Sequence, residues 1–180
     1  MKSRLLIAAG LVALACLIVA PTRTQEVTSE NVEGVSNFHR LETVVACAGA
    51  TKPEAAAEIK KMGFASIISL RQPSEAGADI EAEAAAAKSA GIRFYNIPFN
   101  PAAPDPVAAG KFLDVITTKG VEPAFIHCSG GNRASMMWLI KRLVVDHWDV
   151  DRAEKEAAAL GLSNPALKQF ALDYAQSHKR

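Results

Sequence analysis

The sequence predicts a three-layer α/β fold, with a mostly parallel central sheet and helices on both faces. Short apolar runs alternate along the chain with segments of helical periodicity. Glycine and proline residues separate these segments. Strands that alternate with helices form right-handed βαβ units, which build parallel sheets. The 180-residue chain is long enough for one such domain with a substantial hydrophobic core.

Four buried strands are predicted, because four short apolar runs are bounded by glycine or proline. They cover residues 44–46, 64–70, 94–97 and 124–126. In a parallel sheet, ligands bind beyond the carboxyl ends of the strands. Arg71, the loop after Ile97 and Cys128 all lie at such ends. We therefore expect a binding site at this edge.

Six helices are predicted between and after these strands. Thr51 and Pro53 are typical of a helix start, as is Asp79, and Gly63 and Gly91 are typical helix stops. The predicted helices cover residues 54–62, 80–90, 107–118, 133–145, 151–160 and 164–176.

The first residues have the organisation of a secretory signal. Lys2 and Arg4 precede an apolar run from Leu5 to Ala20. This run is shorter than the roughly 20 residues that a membrane-spanning helix needs. We therefore predict a signal peptide over residues 1–24, export to the periplasm or the medium, and no stable membrane insertion after cleavage. A lipoprotein cut before Cys16 and an uncleaved anchor are the alternatives.

Charge and composition exclude several classes of function. With 20 basic and 19 acidic residues, the net charge is +1, so no basic face for nucleic acid is indicated. No set of His, Cys, Asp and Glu has metal-ligand spacing, so neither a metal nor another cofactor is predicted. We expect a monomer with a polar tether over residues 25–36 and one folded domain over residues 37–180.

One stretch carries the chemistry, at the junction between the fourth predicted strand and the following helix. It contains Cys128, Gly130, Gly131 and Arg133. A glycine-containing loop that enters a helix lets backbone N–H groups converge, and the helix dipole adds positive charge. A thiol there should ionise well below the free value of about 8.5. Arg133 offers a planar cation that can bind two oxygens of an oxyanion.

These residues resemble the H-C-x(5)-R signature of cysteine-dependent phosphatases, in which Ser or Thr follows the arginine. His127, Cys128, Gly131 and Arg133 match it, but only four residues separate cysteine from arginine, and Ser135 follows after an intervening alanine. A shorter loop presents fewer N–H groups. It is also similar to the rhodanese loop, which is sized for a persulfide sulfur.

Further segments extend the resemblance to the family of beta-lactamase hydrolase-like phosphatase domains, over roughly residues 37–176. They are 38–41 (FHRL), 49–54 (GATKPE), 67–71 (IISLR), 95–98 (YNIP) and 127–133 (HCSGGNR). The resemblance implies the fold of tyrosine and dual-specificity phosphatases, with the same C-x(4)-R loop. Where the family has Ser-Gly-Gln-Pro after the first strand, this chain has AGAT at residues 48–51. Some members are fused to metallo-hydrolases resembling persulfide dioxygenases, which keeps a sulfur role open.

The loop residues have both functional and structural interpretations. We predict that an oxyanion is bound by Arg133 and by the intervening loop residues, which are Ser129, Gly130, Gly131 and Asn132. The resemblance implies that His127 fixes the loop and the thiolate, whereas a core histidine bonded to backbone is the alternative. Ser135 either donates to the thiolate or bonds back to its own helix, which we favour.

Asp105 and Arg71 have two interpretations each. By resemblance, Asp105 is the general acid that protonates the leaving group, but Asp105-Pro106 is also typical of a helix N-cap. Arg71 either binds the anion or pairs with Glu75 or Asp79. Export would also expose the thiols to an oxidising compartment, which would pair Cys47 with Cys128 if they met. We favour Cys47 as a small core residue.

The leading hypothesis is a secreted cysteine-dependent phosphatase that hydrolyses a phosphomonoester, with phosphotyrosine among the candidates, through a thiophosphate on Cys128. Its expected partner is a phosphorylated or other oxyanion substrate. Two alternatives remain open. One is a non-catalytic module that binds an anion or a partner protein, and the other is a rhodanese-like sulfurtransferase that uses a Cys128 persulfide.

Overall fold

The computed structural model describes residues 26–178. The predicted signal peptide lies outside the described residues, so its cleavage and export stay predictions. Among the helices of residues 26–178, none is long and apolar enough to span a bilayer.

A six-stranded sheet forms the centre of the domain. Its strands are β1 (Val27–Ser29), β2 (His39–Leu41), β3 (Val45–Ala48), β4 (Ser66–Ser69), β5 (Arg93–Asn96) and β6 (Ala124–His127), in the order β1-β2-β3-β6-β4-β5. β3, β6, β4 and β5 are parallel, whereas β2 pairs antiparallel both with β3 and with the edge strand β1. The predicted class, a mostly parallel sheet flanked by helices, is confirmed.

Six α-helices cover the two faces of the sheet. They are α1 (Ala56–Lys61), α2 (Ile80–Ala90), α3 (Pro106–Ile116), α4 (Asn132–Val144), α5 (Val150–Ala159) and α6 (Pro165–Ser177). α1 and α2 pack on one face with Phe125, whereas α3 to α6 pack on the other with Ile126 and Cys128. Because side chains alternate along a strand, β6 contributes to both cores.

Two predictions of local structure differ from the observed chain. The segment predicted as a polar tether contains β1, which pairs with β2. Thr51 does not cap a helix, since its hydroxyl donates to Gly49 O at 3.2 Å. A 3-10 turn at Pro53–Ala55 comes first, and α1 starts at Ala56.

The parallel strands end together at one edge of the sheet. His127 lies in register with Ala48 of β3 and with Ser69 of β4. The loops that follow these three strands therefore meet, as expected for ligand sites in open α/β sheets. The loop after β6 is the one that carries Cys128.

Candidate active site

The Cys128 loop joins β6 to α4 and turns sharply at Gly131. Gly131 has φ +97°, a conformation that L side chains rarely adopt, so glycine is required there. This turn brings the Gly131 N–H to 3.1 Å from Cys128 Sγ. Cys128 itself is only 1% exposed. The sulfur therefore lies at the base of the loop and accepts a backbone hydrogen bond.

The loop carbonyls point away from the sulfur. Ser129 O accepts from Ala50 N at 3.0 Å, and Gly130 O accepts from Asn37 Nδ2 at 3.2 Å. In a trans peptide the C=O and the following N–H point in opposite directions. The N–H groups of Gly130 and Gly131 are thereby directed to the inner side of the loop. The arrangement presents donors where an oxyanion would bind.

The start of α4 adds further donors to this side. Its first residue is Asn132, directly after the turn at Gly131. The N–H groups in the first turn of a helix have no intrahelical carbonyl to bond, and they carry the positive end of the helix dipole. The loop and helix α4 together thus form a site with positive potential around Cys128.

Arg133 is buried and held by several acceptors. Its Nη1 donates to Leu70 O and Phe99 O, both at 2.9 Å, and to Glu75 Oε1 at 2.6 Å. Its Nη2 donates to Glu75 Oε2 at 2.7 Å and to Ser129 Oγ at 3.0 Å. The guanidinium is therefore fixed between the loops that follow β4, β5 and β6.

The pairing with Arg133 determines the charge of Glu75. The hydrogen bond from Arg133 lowers the pKa of Glu75 to about 2. Burial opposes the charge of Arg133, but the hydrogen bond with Glu75 and the nearby Cys128 raise the pKa of the guanidinium above its ordinary value. From the sequence alone, Glu75 is predicted only as a partner of Arg71. A carboxylate in the loop after β4, at the edge where the site lies, is the signal that could have revealed it.

Arg71 also pairs with the carboxylate of Glu75. Its Nε lies 3.3 Å from Glu75 Oε2, while Nη2 and Nη1 donate to Ala76 O at 2.6 Å and Gly77 O at 3.4 Å. The pairing alternative is thus the one observed. Direct contact between Arg71 and an anion stays a prediction.

Asp105 caps α3. Its Oδ1 accepts from Val107 N at 2.8 Å, and its side chain is exposed. The loop that contains it begins next to the site, because Phe99 O is an acceptor for Arg133. Capping by Asp105 is confirmed, and its role as a general acid stays a prediction.

Two polar side chains near the Cys128 loop have structural partners. Asn132 Oδ1 accepts from Ser163 N and Asn164 N, both at 2.8 Å, which ties this side chain to the start of α6. Ser135 Oγ donates to Leu160 O at 2.6 Å and to Gly131 O at 3.3 Å. The latter is the predicted bond back to its own helix.

His127 faces the side of the sheet opposite to Cys128. Its ring is fully buried near Phe125, with centroids 5.9 Å apart, and its Nε2 lies 3.3 Å from Glu83 Oε2. Neither ring nitrogen makes a well-formed hydrogen bond. The alternative interpretation, a hydrogen bond between the imidazole and the backbone, is therefore not observed, and the polar group next to Nε2 is a carboxylate from α2.

Cys47 faces the same side of the sheet as Cys128, opposite to His127. It is the register partner of Ile126 and belongs to the same core as Cys128. Both are free thiols, and burial raises the pKa of Cys47. The interpretation of Cys47 as a buried core residue is confirmed.

Several solved structures share the fold of this chain, and phosphatases are among them. A Shewanella putrefaciens CN-32 protein with a provisional phosphatase assignment aligns with TM-score 0.68 at 15% identity, covering 83% of this chain and 97% of its own. TpbA of P. aeruginosa, in complex with phosphotyrosine, aligns with TM-score 0.63 at 16% identity, covering 89% and 93%. The catalytic core of SIW14 from S. cerevisiae, a PP-IP phosphatase in complex with citrate, aligns with TM-score 0.62 at 19% identity, covering 79% and 87%.

The TM-scores establish a shared fold, whereas sequence identities this low establish nothing beyond the fold. No curated protein matches the sequence. A family model does match, over residues 37–144, which include both the strand that precedes Cys128 and the helix that carries Arg133. The chain therefore belongs to the family of the beta-lactamase hydrolase-like protein, phosphatase-like domain.

Proposed function

We propose that the protein is an exported cysteine-dependent phosphatase that hydrolyses a phosphomonoester through a thiophosphate on Cys128. The observation that carries the proposal is the Gly131 N–H that donates to Cys128 Sγ at 3.1 Å, in a loop whose carbonyls point outward. Backbone donors around a sulfur stabilise its anion and can bind phosphoryl oxygens. The family and fold support a phosphatase-like chemistry.

In the first step, Cys128 Sγ attacks phosphorus while the bond from phosphorus to the leaving oxygen breaks. The loop N–H groups and Arg133 bind the phosphoryl oxygens. Asp105 gives its proton to the leaving alkoxide, so that an alcohol departs. A water molecule then attacks phosphorus, the S–P bond breaks, and Asp105 takes up the proton of that water. The products are inorganic phosphate and the original thiolate.

The hydroxyl of Ser129 has a defined part in this scheme. It accepts from Arg133 Nη2 at 3.0 Å. A hydroxyl can rotate and exchange partners, so a phosphoryl oxygen can replace it as the acceptor. Glu75 meanwhile keeps the guanidinium in its orientation through two further hydrogen bonds. The arginine is thus already positioned before substrate binds.

Phosphotyrosine is the substrate to test first. TpbA, which has the same fold, has been observed in complex with phosphotyrosine. The decisive experiment measures phosphate release from p-nitrophenyl phosphate and from a phosphotyrosine peptide. Cys128→Ser should abolish release, whereas the control Cys47→Ala should retain it. A thiophosphate trapped on the Cys128 peptide would establish the intermediate, and release that persists in Cys128→Ser would contradict the proposal.

Sulfur transfer is the second candidate, favoured by the four-residue spacing between Cys128 and Arg133. In this reaction, Cys128 takes the outer sulfur of thiosulfate as a persulfide, sulfite leaves, and cyanide then takes that sulfur as thiocyanate. Thiocyanate formation and a sulfur adduct on Cys128 would support it. A protein that performs neither reaction, but loses oxyanion binding in Arg133→Ala, would be the non-catalytic module.

Export is tested separately from chemistry. We propose it because Lys2, Arg4 and the apolar run to Ala20 have the plan of a secretory signal. The N-terminal residue of the mature protein, determined after cell fractionation, should lie near residue 25. A chain that retains Met1 in the cytoplasm would contradict this proposal without affecting the proposed reaction.

A further inference from the structure

Unpaired polar atoms concentrate at one place beneath the Cys128 loop. Among residues 26–178, the buried side-chain polar atoms without a hydrogen-bond partner are Ser69 Oγ, Glu83 Oε2, and both ring nitrogens of His127. Ser69 and His127 are register partners on neighbouring strands. Glu83 Oε2 lies 3.3 Å from His127 Nε2. Since buried polar groups in proteins are rarely left unpaired, such a cluster requires an explanation.

Packing alone does not account for Glu83. It belongs to the Ala-rich helix α2, where Ala87, one turn later, is fully buried on the same face. Glu83 is 5% exposed and lines a small cavity with Ile59, Ile67 and Phe94. A buried carboxylate with no partner is strongly unfavourable. An alanine or leucine there would avoid this penalty.

The imidazole of His127 is the group placed to pair with this carboxylate. Of the other charged groups nearby, Lys52 also lines the cavity but is exposed, and Asp79 and Glu81 on the first turn of α2 are exposed. At 3.3 Å, a proton between Nε2 and Oε2 would give each of these two atoms a hydrogen-bond partner. Ser69 supplies a hydroxyl beside them that can donate or accept.

The pair is linked to the reactive loop through the backbone. His127 is the last residue of β6, and Cys128 follows it. His127 O accepts from Leu70 N at 2.9 Å, and Leu70 O accepts from Arg133 at 2.9 Å. Cys128 N donates to Ala48 O at 3.2 Å. A movement of His127 would therefore displace both the cysteine and the support of the arginine.

We infer that Glu83 is a positioning residue for the Cys128 site: it holds the His127 imidazole from the opposite face of the sheet and thereby fixes where the loop begins. This inference rests on the proposed function of Cys128 as an ionised nucleophile. Glu83 touches neither substrate nor reacting atoms, because it lies on the face covered by α1 and α2. Its effect passes through His127.

The test measures how fast iodoacetamide alkylates Cys128, by peptide mass, across a range of pH. Glu83→Met keeps the length of the side chain but removes its charge and acceptors, so alkylation near neutral pH should slow by about three- to tenfold, with the profile moved to higher pH. Glu83→Gln restores hydrogen bonding and should recover most of the rate. Glu81→Gln, on the same helix but exposed, is the matched control and should change nothing.

If the role of Glu83 is merely structural, Glu83→Met should change the rate of Cys128 alkylation in the opposite direction. If Glu83 only stabilised the fold, Glu83→Met would loosen the loop, and the buried thiol would react faster. An equal or faster rate therefore overturns the inference. Should Glu83→Met fail to fold, Glu83→Ala provides a second readout, since loss of the carboxylate should shift the amide NMR signals of residues 129–132 while Glu81→Gln leaves them in place. Unchanged loop signals in Glu83→Ala also overturn it.

The outcome is separable from that of the proposed function. Alkylation and amide shifts report on the loop and need no turnover. A wild-type protein that releases no phosphate contradicts the phosphatase proposal, while the comparison of Glu83 variants still decides the positioning role.

Discussion

Glu75 holds Arg133 through both carboxylate oxygens, with Oε1 2.6 Å from Nη1 and Oε2 2.7 Å from Nη2. The two residues come from different parts of the chain, since Glu75 follows β4 and Arg133 belongs to α4. Bidentate pairs of this kind are among the stronger hydrogen-bonded contacts in proteins. Glu75 therefore fixes the direction of the guanidinium that donates to Ser129 in the Cys128 loop.

Glu75→Gln should weaken both stability and activity. The amide keeps the shape of the side chain but loses the charge, leaving Arg133 partly unpaired. We expect a loss of about 2 kcal/mol in the free energy of unfolding, measured by urea denaturation. Phosphatase activity should fall about tenfold or more because the guanidinium is less well placed.

The matched control for this change is Glu58→Gln. Glu58 pairs with Lys61 on the surface, with side-chain exposures of 54% and 75%. Exposed pairs contribute little, so this variant should remain within about 0.5 kcal/mol of wild type. Equal effects of the two substitutions would show that Glu75 has no special role.

The Glu75 pair also predicts how stability depends on pH. Its pKa falls from 4.5 to about 2 in the folded protein. A group whose pKa is lowered by folding stabilises the protein above its unfolded pKa, and that contribution is lost as pH falls through the folded pKa. The contribution of Glu75 should therefore be complete at pH 6 and decline from about pH 5 to pH 2.

Urea denaturation of wild type and Glu75→Gln over that range provides the measurement. A shift of this size corresponds to at most about 3 kcal/mol, and solvent screening of the partly exposed carboxylate brings this to the loss of about 2 kcal/mol expected for Glu75→Gln. The difference between the two proteins should shrink towards zero as pH approaches 2. A difference that stayed constant over this range would contradict the charged pair.

Variants of Asp105 separate its capping role from proton transfer. Asp105→Asn keeps an acceptor for Val107 N but cannot give a proton. If Asp105 is the general acid, Asp105→Asn should lower kcat for phosphotyrosine by about 10²-fold, with a smaller loss for p-nitrophenyl phosphate, whose leaving group needs little protonation. Stability should be nearly unchanged, since asparagine also caps helices.

Asp79 is the control for Asp105, because it caps α2 with Oδ1 2.9 Å from Ala82 N. Asp79→Asn should leave kcat unaffected. Full activity in Asp105→Asn with both substrates would assign capping alone to Asp105, and the leaving group would then obtain its proton elsewhere.

Gly131→Ala should damage both the fold and the loop. At φ +97°, a Cβ destabilises the turn by roughly 1–2 kcal/mol. The Gly131 N–H would also move away from Cys128 Sγ, so oxyanion binding and turnover should fall with stability. Gly63→Ala imposes a similar strain at φ +94° in open space. This control should lose stability but retain kcat, and a parallel loss of activity would indicate a global effect.

Local sequence patterns were sufficient to predict the central strands, the helices that follow them and the Cys128 loop. They predicted neither β1 nor β2. Each of these strands has only three residues, VTS and HRL, and only one of the three is apolar. The prediction that Thr51 caps a helix was wrong, because a 3-10 turn starts at Pro53 and Lys52 occupies the position before it. Such short elements depend on neighbours supplied by the rest of the fold.

The partners of the site residues were harder to predict than the residues themselves. Glu75 and Glu83 lie 58 and 44 residues from Arg133 and His127, and only the folded sheet brings them together. Their sequence surroundings are those of an ordinary turn and an ordinary helix. Sequence spacing predicts the Cys128 loop and its arginine, whereas tertiary contacts determine which carboxylate pairs with Arg133 and which lies beside His127.

The outward carbonyls of the Cys128 loop make its shape depend on a distant part of the chain. Asn37 and Ala50 donate hydrogen bonds to those carbonyls from outside the loop, and Asn37 lies just before strand β2. A substitution at Asn37 can thus change the conformation of the Cys128 loop while the sequence of residues 127–133 stays the same. Truncation or tagging close to Asn37 should therefore alter the geometry of the Cys128 loop, so an affinity tag is better placed at the carboxyl terminus.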